Sequence, residues 1–143
     1  MKSIHTETEI NAPVEKVWAI LTDFKSYPEW NPFVKSITGK VEEGATFKVV
    51  IHPPDGKAMT FKPKCLIYKE NMEFRWLGHL FVPGLFDGEH VFKMKTVDKG
   101  RTKLVQSENF KGILVSMLWK QLNTKTLKGF EMMNKALKDR AEK

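Results

Sequence analysis

Between residues 34 and 111 the chain repeats one device, short stretches of alternating apolar and polar side chains set between turn residues. A period of two points one face of each stretch inward and the other toward water, which is the pattern of antiparallel strands. Residues 34–37 and 47–51 stand around turn signals at Gly39 and Gly44, and His52-Pro53-Pro54-Asp55-Gly56 is a strong turn. Residues 58–68 place Phe61, Cys65 and Ile67 on one face. Residues 72–80 set Phe74, Trp76 and Gly78 against Arg75, Leu77 and His79. The longest alternation, 86–97, turns at Asp98-Lys99-Gly100-Arg101 into a last strand, 102–111. Loops this short join antiparallel neighbours, so these segments predict a meander of six strands.

The ends of the chain obey other rules. Residues 3–10 alternate, with Ile4, Thr6, Thr8 and Ile10 on one side, and read as a first strand with one wet face. Pro13 then opens a helix carrying Val14, Val17, Trp18 and Leu21 at helical spacing. Ser26 and Glu29 have the spacing of a capping box for a second, short helix that buries Trp30 and Phe33 and stops at Pro32. In the final 30 residues the period changes: Leu118, Leu122, Thr126, Gly129, Phe130, Met133 and Leu137 share one face of a long helix. Gly129 inside that helix costs about 1 kcal/mol relative to alanine, which close approach of the sheet or room for a ligand would explain.

Composition narrows the function classes. With 143 residues, 41% hydrophobic and 29% charged, the chain suits a single domain over residues 1–143 and is too apolar for disorder. No stretch nears about 18 apolar residues, the minimum for a membrane span, and the first residues lack the apolar core of a signal peptide. A cytoplasmic location is the expectation. Cys65 is the one cysteine, so neither an internal disulfide nor a cysteine zinc site is available. Residues 1–98 balance 13 basic against 13 acidic side chains, while residues 99–143 hold 11 against 4 and carry the whole excess of +7. No arginine cluster or lysine run turns that excess into a nucleic-acid site, and a solvated helix face accounts for it.

The order of strand, two short helices, six-stranded meander and long helix is that of the α+β helix-grip fold, with seven strands in one curved antiparallel sheet. Specific segments carry a family resemblance. Ile10-Asn11-Ala12-Pro13-Val14-Glu15-Lys16-Val17-Trp18, Leu21-Thr22-Asp23 and Tyr27-Pro28-Glu29-Trp30-Asn31-Pro32 resemble the opening of the polyketide cyclase/dehydrase-like branch of the START-like (SRPBCC) superfamily. Trp76-Leu77-Gly78, Phe86-Asp87-Gly88-Glu89-His90-Val91-Phe92, Gln106-Ser107-Glu108-Asn109-Phe110-Lys111-Gly112 and Gly129-Phe130-Glu131-Met132-Met133-Asn134 resemble it too. The resemblance implies a hydrophobic cavity between sheet and helix. It implies relatives that bind lipids, sterols, quinones or polyketides, a few that act as cyclases or dehydratases, and one branch that activates a chaperone.

Within such a cavity His90 is the leading candidate for chemistry. It shares a strand face with Phe86, Gly88, Phe92 and Met94, and the neighbouring strand presents Leu104, Gln106, Glu108 and Phe110. If the hairpin pairs residues summing to 198, His90 lies opposite Glu108, and the two form a candidate general acid–base pair. A register shifted by one residue would separate them, and a self-satisfied buried polar pair fits the same pattern. Trp30, Phe61, Phe74, Trp76, Phe92, Phe110 and Phe130, with Met94, Gln106 and Met133, are the candidates to line the cavity; each could equally fill a core. His52 falls in a turn and His79 follows Gly78, without metal-ligand spacing, so no metal is expected. Cys65 reads as packing. No nucleotide-binding motif is present, so no cofactor is expected. The loop over residues 80–86 is apolar for a loop and reads as a flap or a docking surface. The expected partner is a small hydrophobic molecule. The enzyme alternative uses His90 and Glu108, and the third reading is a protein-interaction module working through the basic helix.

Overall fold

A computed structural model describes residues 1–80 and 82–143; Phe81, within the apolar 80–86 loop, lies outside the described residues. Strand β1 (Lys2–Ile10) is followed by helix α1 (Val14–Leu21), a short 3-10 turn (Phe24–Ser26) and the single-turn helix α2 (Tyr27–Trp30). Then come β2 (Val34–Thr38), β3 (Lys48–Ile51), β4 (Met59–Phe61), β5 (Lys64–Lys69), β6 (Glu73–Leu80), β7 (Phe86–Asp98) and β8 (Arg101–Lys111). Helix α3 (Val115–Gln121) runs through a π-helical turn (Leu122–Thr126) into α4 (Leu127–Ala141). The α+β architecture and the long C-terminal helix are those expected.

The strand count differs. Among the described residues eight strands form two sheets, β1-β8-β7-β6-β5 and β2-β3-β4, where the sequence predicts seven in one sheet. The extra break falls at Pro63, inside what the alternation read as one strand. Proline offers no N–H to a ladder and restricts the residue before it. The chain therefore leaves β3 after Phe61 and joins β6 from Lys64. The two sheets remain stitched at that point, since Phe47 N–H donates to the Pro63 carbonyl and Cys65 N–H to the Ala45 carbonyl. The capping box also does not form: the Ser26 hydroxyl donates back to Asp23, so α2 is only a continuation of the 3-10 turn.

Alternation along β1, β6, β7 and β8 buries Ile4, Phe74, Trp76, His90, Phe92, Leu104, Gln106 and Phe110 on the face that α4 crosses. Val17, Trp18 and Leu21 of α1 bury their stripe in the same core, as do Phe130, Met133 and Leu137 of α4. Gly129 of α4 lies against the Phe33 ring, in a position where a Cβ would overlap it. The glycine therefore serves close packing, and Phe33 meets Phe130 edge-on with centroids 5.5 Å apart.

Candidate functional site

Close packing of α4 on β1 and β8 does not continue along the whole helical layer. Toward α3 a cavity of about 600 Å³ opens between the two sheets and the helices. The small sheet contributes Val49, Ile51, Met59 and Phe61, and the large sheet contributes Trp76, Phe86, His90, Glu108 and Phe110. Leu118, Leu122 and Thr126 close the helical side. The mouth is marked by exposed members that include Asp55, Lys57, His79 and Lys125, and the Lys125 ammonium donates to the Asp55 carbonyl at 3.1 Å. Gly78 and Gly88 face each other on β6 and β7 and leave a bare strip of backbone in the wall. A Cβ on Gly88 would overlap Glu108 Oε2, so this glycine makes the room that the carboxylate occupies.

The hairpin of β7 and β8 has the register that sums to 198, pairing His90 with Glu108. His90 Nδ1 lies 3.3 Å from Glu108 Oε1. The imidazole is buried and stacks on its cross-strand neighbour Trp76 at 4.5 Å, with Phe92 and Phe130 at 4.7 and 4.8 Å. Its other nitrogen, Nε2, is 3.0 Å from Gln106 Oε1. Gln106 Nε2 in turn reaches Asn134 Oδ1 at 2.7 Å, and Asn134 Nδ2 reaches Thr6 Oγ1 at 2.8 Å. A hydrogen-bonded relay thus runs from the cavity wall through the sheet–helix interface. An imidazole–carboxyl pair in a wall otherwise rich in apolar carbon can hold a polar group of a ligand or exchange a proton with it, with little competition from water.

Ten of the twelve candidate residues divide into two groups. Phe61, Trp76, His90, Glu108 and Phe110 come together on the cavity wall. Phe74, Phe92, Met94, Phe130 and Met133 are buried behind the wall, where they fill the core between sheet and helix. Gln106 is wholly buried and touches His90 but not the cavity. Trp30 packs edge-on against Tyr27 at 5.2 Å, away from the cavity. Parity alone cannot separate the groups, because the wall and core residues of the large sheet share one face and differ only in what packs over them. Sequence reasoning missed Phe33, Val49, Ile51 and Met59, as well as the placement of Leu118, Leu122 and Thr126 on the cavity. The alternation of Val49 with Ile51, and of Met59 with Phe61, was the available signal.

Two other candidates have structural settings. His79 at the mouth pairs with Asp87 at 2.6 Å, and Gly84 N–H also donates to that carboxylate. These two donors, the imidazole first, hold the Asp87 carboxyl below the usual carboxylate range. Cys65 is fully buried and its thiol is pushed up to about 11, by burial first and by Glu43 second, so it is packed and protonated. Its role is structural.

With this geometry the comparisons with known proteins acquire a meaning. The family described as polyketide cyclase/dehydrase and lipid transport matches residues 1–142. The chain belongs to that family. Among solved structures, the Zhui aromatase/cyclase from Streptomyces sp. R1128 is 17% identical, with a TM-score of 0.77 over 99% of this chain and 93% of that one. A START superfamily protein from Mycobacterium smegmatis is 21% identical, with a TM-score of 0.73 over 98% of this chain and 97% of that one. At these identities the polyketide cyclase/dehydrase family member shares the fold with both, and the likeness reaches no further. No curated protein matches the sequence. No described helix is long and apolar enough to cross a membrane.

Proposed function

We propose that this protein binds a small hydrophobic molecule, with a ring-containing or acyl body, in the cavity between the two sheets and the C-terminal helices. The observation that carries the reading is the cavity itself, about 600 Å³ of mostly apolar wall with one acid–base pair at its inner end. Sites for small organic ligands have this size and this ratio of apolar wall to convergent polar groups. Trp76, Phe61 and Phe110 contact the body of the ligand, and Glu108 holds its polar end. Family membership supports the same reading, since the family description covers both polyketide chemistry and lipid transport. Native mass spectrometry of gently purified protein, followed by organic extraction, tests it. The expected result is a stoichiometric apolar metabolite; a clean apo mass, with no thermal shift across lipids, quinones and polyketides, would overturn it.

The second reading, a cyclase or dehydratase, rests on the His90–Glu108 distance of 3.3 Å and on the fold shared with an aromatase/cyclase. It requires that Glu108→Gln abolish turnover of a bound polyketide analogue while its binding survives. Turnover that persists in that variant would remove the pair from any catalytic role.

A further inference from the structure

The direction of the buried relay can be read from its fixed end. Thr6 Oγ1 lies 2.7 Å from the backbone carbonyl of Gln106, which can only accept, so the hydroxyl proton of Thr6 is spent there. Thr6 Oγ1 must therefore accept from Asn134, which presents Nδ2, and this leaves Asn134 Oδ1 facing Gln106. Gln106 donates to that oxygen through Nε2, which also points at the Phe130 carbonyl, a second group that can only accept. Gln106 Oε1 is left for His90, so His90 Nε2 carries a proton. Thr6, Gln106, Asn134 and His90 are all buried. Reversing any one amide would set like groups against each other without water to relieve them.

His90 Nδ1 then faces Glu108 Oε1 at 3.3 Å. Two bare lone-pair atoms would repel at that distance, so one proton lies between them. If the nitrogen holds it, Glu108 is a carboxylate. If Oε1 holds it, Oε2 is the carbonyl oxygen of an acid. Both arrangements turn lone pairs of Oε2 toward the space beside Gly88 at the cavity wall. His90 has no ring nitrogen left for a ligand. We infer that the inner end of the cavity is a hydrogen-bond acceptor site for the hydroxyl of a phenol- or alcohol-bearing ligand, with Glu108 Oε2 as the acceptor, and that Gln106, Asn134 and Thr6 are positioning residues that orient His90 against Oε1. The inference deepens the ligand-binding reading above and rests on it. It also separates the candidate pair: Glu108 touches the ligand and His90 acts through it.

Matched probes test the inference separately from the reading beneath it. In titration calorimetry 2-naphthol should bind about tenfold or more tightly than 2-methoxynaphthalene, because only the former donates to a charged or polarised acceptor. Glu108→Gln should keep the preference, since its amide N–H can donate to His90 Nδ1 and leave its carbonyl for the ligand. Glu108→Leu should lose it. Asn134→Leu frees the Gln106 amide to turn, so it should move the His90 proton from Nε2 to Nδ1, while Glu108 Oε2 and the probe preference are kept. Equal binding of both probes by the unaltered protein would overturn the acceptor site while the cavity reading stands. Failure of both probes to bind, together with a clean apo mass, would overturn the two together. A ligand-free readout comes from long-range 15N–1H spectra of a chain carrying His5→Gln, His52→Gln and His79→Gln, in which His90 is the remaining histidine. A protonated Nε2 is expected, and a bare Nε2 would overturn the relay direction whatever the probes do.

Discussion

Gly129 stands in the middle of α4 because the Phe33 ring occupies the place its side chain would take. In an open helix, replacing glycine with alanine stabilises by up to about 1 kcal/mol. Here Gly129→Ala should instead lose about 1–3 kcal/mol, the usual range for forcing a methyl group into a filled core. Urea unfolding, with the slope unchanged and the midpoint lowered, is the check. The sequence offered close approach or ligand room as reasons for this glycine, and only the ring of a residue 96 positions earlier decides between them. The His90–Glu108 pairing was legible because a two-stranded register is simple arithmetic once the turn is placed. The partners of Gln106 were not legible, because Asn134 arrives from a helix whose rotation over the sheet depends on packing and not on any local pattern.

At the scale of elements, the C-terminal helix shows how far a period can be trusted. Leu118, Leu122 and Thr126 follow each other at intervals of four residues, and Phe130 continues the series. In a regular α-helix each such step drifts by about 40°, so three steps would carry the stripe about 120° around the axis. The π-helical turn at Leu122–Thr126 takes up that drift and keeps Leu118 and Leu122 on the cavity while Phe130 stays on the sheet. Deleting the exposed Asn123 should remove the extra residue of the wide turn and leave a regular helix in which Leu118 stands eleven steps from Phe130, about 20° around the axis, so the cavity face is kept. Circular dichroism should then show the helix content kept, and calorimetry should show the 2-naphthol affinity kept as well. An affinity reduced by tenfold or more would mean that the widened turn shapes the cavity beyond setting which face the helix presents. Strand boundaries were legible where turn chemistry was strong, as at Asp98-Lys99-Gly100-Arg101, and failed at Pro63, where a break between sheets looks in sequence like an uninterrupted alternation. The end of the β6–β7 hairpin carries a pH signature. Asp87 is held below the usual range by His79 and by Gly84 N–H, so its contribution is complete above its unfolded value and is lost as pH falls through its lower folded value. Urea midpoints measured downward from about pH 5 should therefore fall less steeply in Asp87→Asn than in the unaltered chain.

For the whole molecule, the two sheets differ in how much holds them. The five-stranded sheet packs β1 and β8 on α4, with Phe74, Phe92 and Leu104 buried in the core, and is tied to the helix by the Thr6–Asn134–Gln106 relay. The three-stranded sheet has strands of 5, 4 and 3 residues, and its Val49, Ile51, Met59 and Phe61 face the cavity. Side chains that border a void lack partner atoms on that side, so the small sheet should open locally at a lower free energy than the molecule as a whole. A ligand that fills the void contacts both sheets and has affinity only for the closed form. At a free concentration of 100 times its Kd it should suppress such opening by about 100-fold. Hydrogen exchange followed residue by residue should show this as slowed exchange at the paired amides of β3 and β4, with amides at the centre of β7 and β8 unchanged until global unfolding governs them. Equal slowing everywhere would mean that the small sheet opens only when the whole chain unfolds. Slowing confined to β7 and β8 would place the ligand away from the small sheet and contradict the cavity as its site.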